Sequence, residues 1–349
     1  MVSFAATTRY LKLLEVEMLI SEAYPELFHY TSVSGLFGIL ESQCLWATHW
    51  KHVNDESELL QFRHALAGII RPLLIERANE VASTNSEAKS WLVENGGVEA
   101  VCREQSMGLA DMMHDTLHKS DPVENLFEFY ITSFCTPNGD YSEARNHGLL
   151  SQWRYYGGNG GYSLVFDTAE LERLMEQEHS VWPCRLSCGD VSYSSDSAEV
   201  MERRLDSLPS LRNALSVWFK RGSSPEAIEP VLEPFLNCCI HYKHWAFAEE
   251  REVRLVATLN GERARRLHEI DGSKLVERPR HSFMRGGQSV PHIRLFEGLD
   301  VGRAPRLPIR RIIVGPGPTQ DERETKLKAF LKSKGYVIDV TCSSIPIRF

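Results

Sequence analysis

The sequence has no hydrophobic run long enough to cross a membrane. None of its 349 residues belongs to an uninterrupted apolar stretch of membrane-spanning length. The amino terminus also lacks a positively charged region followed by an apolar segment and a cleavage site, which is the pattern of a secretory signal. We therefore expect a cytoplasmic protein with no membrane partner.

Closely spaced cysteine pairs are also absent. The eight cysteines show neither a Cys-x-x-Cys pair nor the dense spacing of a small secreted protein, so we expect reduced and mostly buried thiols. Two His-x-x-His pairs, His49 with His52 and His241 with His244, offer imidazole nitrogens. No carboxylate or cysteine accompanies them at matching spacing, and we predict no metal site.

The usual phosphate-binding and nucleophile motifs are missing. The glycines at 157–161 follow a predicted helix instead of a strand, and no Lys-Ser/Thr ending comes after them. The prolines of Gly315-Pro316-Gly317-Pro318 lack the N–H groups that a phosphate cradle needs, so this segment is interpreted as a rigid turn. No nucleophile elbow or catalytic cysteine signature is present.

The composition is that of a globular protein with a sizeable core. Hydrophobic residues make up 42% and charged residues 25% of the chain, and the net charge of -8 argues against an overall electrostatic grip on nucleic acid. Internal repeats and low-complexity tracts are absent. We predict a single α+β domain over 26–349, with an N-terminal helix in 1–25 and large helical insertions at about 55–120 and 196–244.

Periodicity also predicts the other elements. Alternation favours strands at 27–31, 45–48, 126–134, 162–167, 252–258, 311–314 and 336–341. Residues 276–298 are expected to be loop-rich with one short strand, and a helix is expected near 321–334.

The first candidate site lies in the strand at 27–31. His29 and Thr31 point to the same face of this strand, because successive residues alternate between faces. Ser32 can cap a helix, after which 45–48 resume an extended pattern. An imidazole and a hydroxyl on one face are suited to holding a ribose, and the alternative is an ordinary surface histidine on an edge strand.

The second candidate site is a row of charges. Glu250, Glu252 and Arg254 share a face of the predicted strand, at about 6 to 7 Å intervals. Two carboxylates at that spacing can differ in pKa, or the guanidinium can hold one ionised. The alternative is a solvated charge face on an edge strand. Trp245 and Phe247 precede the strand and are predicted to be core residues without a ligand role.

The third candidate site combines aromatic rings with glycines. Trp153 and Tyr156 precede the glycine segment at 157–161, and Tyr162 follows it. Such rings can form a stacking wall for a flat heterocycle, and Arg154 can meet a phosphate. The alternative is a helix with core aromatics followed by a turn.

Taken together, these segments resemble the bacterial domain of unknown function 2971, over roughly residues 27–348. The matching residues are His29-Tyr30-Thr31, Leu40-Glu41-Ser42 with Leu45-Trp46-Ala47, Asn54-Asp55 with Glu58, Trp153 with Gly161 and Phe166, Glu250-x-Glu252-x-Arg254, and Ser344-Ile345-Pro346-Ile347-Arg348. Residues 60–125 match most weakly.

A more distant resemblance carries the expected function. The opening strand with His-x-Thr, the helix and the second strand are similar to the start of ADP-ribosyltransferases of the DNA-modifying toxin type and of RNA 2′-phosphotransferases. The resemblance implies a central split, twisted mixed sheet and NAD as substrate. Its implied catalytic carboxylates are Glu252 and Glu250, and its implied NAD-binding residues are His29, Tyr30, Thr31, Trp153, Tyr156, Tyr162 and Arg254. His29 and Thr31 are expected to share a cleft with Glu252.

The expected activity is NAD-dependent mono-ADP-ribosyl transfer to a macromolecular target, nucleic acid or protein, by a defence toxin or effector. A carboxylate can stabilise the positive charge that develops on the ribose, and this chemistry requires no metal. The alternatives are a nucleotide-binding or sensing module without turnover, and a carboxylate-dependent nuclease. The nuclease is disfavoured because no Asp accompanies Glu250 and Glu252 with a suitable Lys at conventional spacing.

Overall fold

A ten-stranded sheet with helices on both faces forms the centre of the molecule. The computed structural model describes residues 20–53, 58–119, 127–137, 142–156, 160–182, 184–222, 228–260, 277–299 and 307–346. Most of the predicted N-terminal helix, together with Asn54-Asp55, 157–159 and Ile347-Arg348, lies outside them.

Most helices lie in segments for which the sequence predicts helix, whereas those at 142–147 and 168–181 are not predicted. In the described residues the helices are α1 (Ile20–Ala23), α2 (Val33–Ser42), α3 (Glu58–Thr84), α4 (Ser86–Glu94), α5 (Val98–Lys119), α6 (Ser142–His147), α7 (Leu150–Tyr156), α8 (Thr168–Val181), α9 (Ala198–Arg204), α10 (Leu208–Lys220), α11 (Glu229–Ile240) and α12 (Gln320–Lys334). Both segments expected to be helical insertions are therefore helix-rich. Ser32 caps α2 as expected, because its side chain accepts a hydrogen bond from Gly35 N.

The strands include several that periodicity does not predict. They are β1 (Glu26–Thr31), β2 (Leu45–His49), β3 (Phe127–Cys135), β4 (Tyr162–Asp167), β5 (Arg185–Asp190), β6 (Ser192–Tyr193), β7 (Tyr242–Lys243), β8 (Glu252–Asn260), β9 (His281–Arg285), β10 (Gln288–Leu295), β11 (Ile309–Val314) and β12 (Asp339–Cys342). Two strands, β9 and β10, occupy the segment for which one was expected, because Gly286 and Gly287 adopt positive φ and close a tight hairpin.

The sheet is mixed, as predicted for an α+β protein. Its order is β12-β11-β4-β1-β3-β2-β10-β9, with β8 paired to β3 and β5 paired to β8. The pairs are antiparallel except for β11 with β12. The short strands β6 and β7 pair with each other separately.

Two strands share one edge of β3 and diverge along it. β8 covers the other edge of β3 over its whole length. On the shared edge, Phe28 of β1 pairs with Cys135, whereas Thr48 of β2 pairs with Ile131. Residues 132–134 lie between these positions and pair with neither strand. The sheet therefore opens between β1 and β2, above the middle of β3.

Apolar side chains cover both faces of the sheet centre. On one face, residues of α2, α8 and α12 pack against Tyr130 and Phe134 of β3 and Leu255 of β8. On the other face, α3, α5, α10 and α11 pack against Phe129 and Ile131. The two helix-rich segments therefore form one layer, on the same face of the sheet as Cys135 and Glu252, which pair in register.

Candidate functional site

A cleft of about 200 Å³ lies at the opening between β1 and β2. Six of the candidate residues from the sequence border it, namely His29, Tyr30, Tyr156, Glu250, Glu252 and Arg254. The candidate residues Thr31, Trp153 and Tyr162 do not line it.

His29 reaches the cleft through the opening in the sheet. Strand alternation directs His29 to the face opposite Glu252, and its ring meets Phe134 edge-on at 5.7 Å between centroids. His29 Nδ1 lies 3.0 Å from the Ser133 carbonyl oxygen, which can only accept, so Nδ1 carries the proton. Burial lowers the pKa of His29, and the neutral ring keeps Nε2 as an acceptor.

Glu252 is a buried carboxylate with several donors. Its side chain is 4% exposed. Arg254 binds it in two places, with Nε 2.8 Å from Oε1 and Nη2 3.1 Å from Oε2. Lys243 Nζ lies 3.1 Å from Oε2. Burial alone raises the pKa of Glu252, but the Arg254 guanidinium and then the Lys243 ammonium lower it to about 2.

Glu250 is not part of the strand, contrary to the sequence prediction. It ends a 3-10 helix, Trp245–Glu250, and Arg251 then adopts a left-handed conformation with φ 44° before β8 begins. Because this turn separates the two carboxylates, they do not have the regular spacing along one strand that the sequence analysis predicts. Lys243 Nζ lies 2.6 Å from Glu250 Oε2, so one ammonium binds both carboxylates. The Glu250 side chain is 19% exposed.

The interpretation of these charges as a solvated edge is wrong. β8 lies between β3 and β5 and is therefore a central strand. Val253 and Leu255 are buried on one face, as expected, but Glu252 and Arg254 are buried on the other. Arg254 also donates from Nη1 to the Ile240 carbonyl oxygen. A buried arginine of this kind holds its carboxylate partner in a fixed orientation.

Tyr30 and Tyr156 form the aromatic part of the cleft on the side of α7. The Tyr30 hydroxyl accepts a hydrogen bond from Leu149 N at 2.8 Å, which anchors the start of α7 to β1. Tyr156 is half-buried, and burial, followed by the charges of Glu252 and Glu250, raises the pKa of its phenol. Both phenols therefore stay protonated at neutral pH.

The structure places Trp153 and Tyr162 in the core and the half-buried Thr31 against α2, all outside the lining of the cleft. Trp153 is buried, meets Tyr30 edge-on at 4.9 Å and donates its indole N–H to the His147 carbonyl oxygen. Tyr162 is buried in β4. Thr31 places its hydroxyl against Gly35 in the first turn of α2.

Trp46 is a cleft residue that the sequence analysis did not single out. It is 40% exposed, and it stacks on His292 with 4.3 Å between ring centroids. Trp46 and Thr48 share the cleft-facing side of β2, while Leu45 and Ala47 are fully buried on the other side. A tryptophan on the polar side of an alternating strand is the signal that identifies such a residue.

Trp245 contradicts the prediction that it belongs to the core. Its side chain is 59% exposed at the start of the 3-10 helix, where its backbone N–H donates to Ser194 Oγ. Phe247 is half-buried and lies under the Lys243 ammonium, 4.6 Å from Nζ to the ring centroid. The segment is fixed by polar contacts and by Phe247, so the indole is left at the surface.

The histidine pairs are used in local hydrogen bonds. His49 Nδ1 accepts from Lys51 N, and His241 Nδ1 contacts the Asn237 carbonyl oxygen at 2.9 Å. Among the described residues, no group of three or more His, Cys, Asp or Glu side chains has the geometry to hold a metal ion. Six of the eight free cysteines are buried and two are half-buried, so most of the thiols are buried as the sequence predicts.

Comparison with known proteins identifies one family. Residues 152–255 match the model of a family described as protein of unknown function (DUF2971), and they include α7, β8 up to Leu255 and both carboxylates. No curated protein and no solved structure matches the chain. No helix in the described part of the chain is both long and apolar enough to span a membrane.

Proposed function

We propose that the cleft binds NAD and that the protein transfers its ADP-ribose to a macromolecular target. The observation that carries the proposal is the meeting of three groups at the opening between β1 and β2. These are the neutral imidazole of His29, the carboxylate of Glu250 and the exposed indole of Trp46. His29 supplies an acceptor for a ribose hydroxyl, Glu250 supplies a negative charge, and Trp46 supplies a stacking surface.

The reaction breaks the bond between nicotinamide and the ribose carbon. The bonding electrons leave with nicotinamide and neutralise its positive ring nitrogen, while positive charge develops on the ribose. An oxygen or nitrogen of the target then bonds to that carbon and loses its proton to water. A carboxylate beside the ribose stabilises the developing charge and holds a ribose hydroxyl, which lowers the barrier.

Glu250 is the better candidate for this carboxylate. Glu252 receives two hydrogen bonds from Arg254 and one from Lys243. A carboxylate has about four lone-pair positions, so most of the acceptor capacity of Glu252 is used within the protein. Glu250 is more exposed and borders the same cleft. We assign contact with the substrate to Glu250 and support of the site to Glu252.

Trp46 is proposed to bind a planar ring of NAD. One face of its indole is stacked on His292, which fixes the ring orientation. Arg285, from the end of β9, borders the cleft as well and brings a guanidinium suited to a phosphate.

The balance of charges disfavours the nuclease. Arg254 and Lys243 carry two positive charges that face the two negative charges of Glu250 and Glu252. A divalent cation would have to displace the ammonium to bind both carboxylates. The same balance is compatible with a module that binds a nucleotide without turnover. This second candidate is favoured by the engagement of Glu252 with Arg254 and Lys243.

The test measures nicotinamide release and the intact mass of candidate DNA, RNA and protein targets after incubation with NAD. We expect a mass gain equal to one ADP-ribose. Glu250→Gln should lower the rate about 100-fold or more while NAD binding is retained, by analogy with removal of one electrostatic stabiliser. Glu249→Gln, at an exposed neighbouring position, is the matched control and should leave the rate unchanged.

Calorimetry of the same proteins separates the candidates. Binding of NAD without nicotinamide release would favour the sensing module, and absence of NAD binding would contradict both. Trp46→Ala should weaken NAD binding roughly 2- to 10-fold, since ring stacking contributes about 0.5–1.5 kcal/mol. Trp91→Ala, an equally exposed tryptophan on α4, should not change the affinity.

A further inference from the structure

Lys243 is a buried lysine at the centre of the charged group. Its side chain is 9% exposed at the end of β7. Its Nζ lies 2.6 Å from Glu250 Oε2, 3.1 Å from Glu252 Oε2 and 4.6 Å from the Phe247 ring centroid. Lysines are rarely buried unless they are paired, and this one is paired with two carboxylates from different elements.

The second cation of the group has a different partner. Arg254 uses Nε and Nη2 for Glu252 and Nη1 for the Ile240 carbonyl oxygen. Among the described ion pairs, that of Glu250 is with Lys243. The ammonium of Lys243 therefore contacts both Glu250 and the buried pair of Glu252 with Arg254.

The backbone turns sharply between Glu250 and β8, so Glu250 is not aligned with the strand that carries Glu252. Arg251 has a positive φ between the two carboxylates, and its carbonyl oxygen accepts from Thr136 N at 3.0 Å. A non-glycine residue in this conformation is held by its surroundings. The Glu250 side chain lies at the end of the 3-10 helix before this turn, and its carboxylate contacts Lys243.

We propose that Lys243 is a positioning residue that ties the Glu250 carboxylate to the Glu252–Arg254 pair and thereby aims it at the bound ribose. This inference rests on the proposed function, in which Glu250 is the carboxylate that contacts NAD. The ammonium acts by holding Glu250, so its effect on the reaction disappears when Glu250 no longer has a charge to hold.

The test is a double-mutant cycle on nicotinamide release. Lys243→Met keeps the length of the side chain and removes its charge, and we expect the rate to fall about 10- to 100-fold with NAD affinity changed less than about threefold. In a Glu250→Gln background the same substitution should change the rate less than about twofold. Lys243→Arg should restore part of the rate. Lys328→Met, which breaks an exposed ion pair with Glu324, is the control and should have no effect.

A purely structural lysine gives a different pattern. Lys243→Met would then lower the melting temperature and lower the rate equally in both backgrounds, and this would overturn the proposal. The double variant Lys243→Met/Glu250→Gln restores the balance of charge and keeps the cycle measurable if the single variant unfolds. A rate of the double variant more than about twofold below that of Glu250→Gln would also overturn the positioning role.

Failure of the proposed function is recognised separately. If the parent protein neither binds NAD nor releases nicotinamide, crystal structures of the parent and of Lys243→Met decide the positioning role. We expect the Glu250 carboxylate to move away from Glu252 by more than a hydrogen-bond length in the variant. An unchanged Glu250 side chain would show that Lys243 does not position it.

Discussion

Glu250 and Glu252 lie two residues apart in the chain but have different surroundings. Glu252 is buried and bound by Arg254 and Lys243, whereas Glu250 is partly exposed and bound by Lys243. Removing one partner of a buried ion pair leaves an uncompensated charge in a medium that solvates it poorly. At the scale of single residues, Glu252 should therefore matter more for stability and Glu250 more for turnover.

Glu252→Gln tests the structural half of this division. The amide keeps the shape of the side chain but leaves Arg254 and Lys243 with one fewer negative charge. We expect the free energy of unfolding, measured by urea denaturation, to fall by roughly 3–5 kcal/mol. Glu249→Gln should change it by less than about 0.5 kcal/mol. A loss below about 1 kcal/mol for Glu252→Gln would contradict the importance of the buried pair.

The same residue predicts a dependence on pH. The pKa of Glu252 is lowered from 4.5 to about 2 in the folded protein, so the folded state binds this proton more weakly than the unfolded chain. The resulting stability is complete above about pH 4.5 and is lost as the pH falls towards about 2. Over this pH range, the free energy of unfolding of the parent should therefore decrease more steeply with falling pH than that of Glu252→Gln. Parallel curves for the two proteins would refute the assignment.

At the scale of elements, the turn at 315–318 is fixed by close packing. It joins β11 to α12, as expected, and Arg323 of α12 donates to the carbonyl oxygens of Gly161 at 3.1 Å and Gly315 at 2.7 Å. A Cβ on Gly315 would lie 2.8 Å from both the Gly161 carbonyl oxygen and the Trp153 ring. The glycine is therefore required by the approach of two loops and a buried indole.

Gly315→Ala should destabilise the protein by roughly 1–3 kcal/mol, because neither the backbone of Gly161 nor the buried indole can move freely. Gly38→Ala in α2 is the matched control, since its added Cβ meets no atom within 4 Å. Alanine is favoured over glycine inside a helix by about 0.5–1 kcal/mol, so this control should stabilise. Thermal melting of both variants is the measurement, and equal melting temperatures would contradict the packing argument.

At the scale of the whole molecule, the two helix-rich segments pack into one layer over the sheet. Phe62 of α3 is fully buried against this layer, with its ring 5.3 Å from Tyr242, next to Lys243, and 6.4 Å from Phe235 of α11. The layer therefore supports the strand that carries Lys243, although the helices themselves do not border the carboxylates.

Phe62→Ala tests this support. We expect a loss of roughly 3–5 kcal/mol in unfolding free energy, as for other buried aromatic side chains. Amide hydrogen exchange at Tyr242 and Lys243 should become faster than at β4, which lies far from the cavity created. Trp91→Ala, with its indole 50% exposed, should leave both quantities nearly unchanged. An equal increase in the exchange rate at β7 and β4 would show that the layer does not support β7 in particular.

Local patterns determined most of the elements of this protein. Alternation of apolar residues predicts β1, β2, β3, β4 and β8 within one or two residues, and helical spacing predicts α2, α3 and α12. These patterns are readable because each strand or helix must bury one face, and the spacing of its own residues sets that face. The alternation at His29 and Glu252, in contrast, directs the two side chains to opposite faces of the sheet, and both border the cleft because the sheet opens between β1 and β2.

Tertiary structure decided what the charged residues do. Glu252 and Arg254 would be solvated on an edge strand, and they are buried because β5 and β3, distant in sequence, pair with both sides of β8. Lys243 and Trp46 reach the cleft from separate strands. Their meeting depends on long-range strand pairing, and no local periodicity encodes that pairing, because the spacing of residues along one segment carries no information about its neighbours.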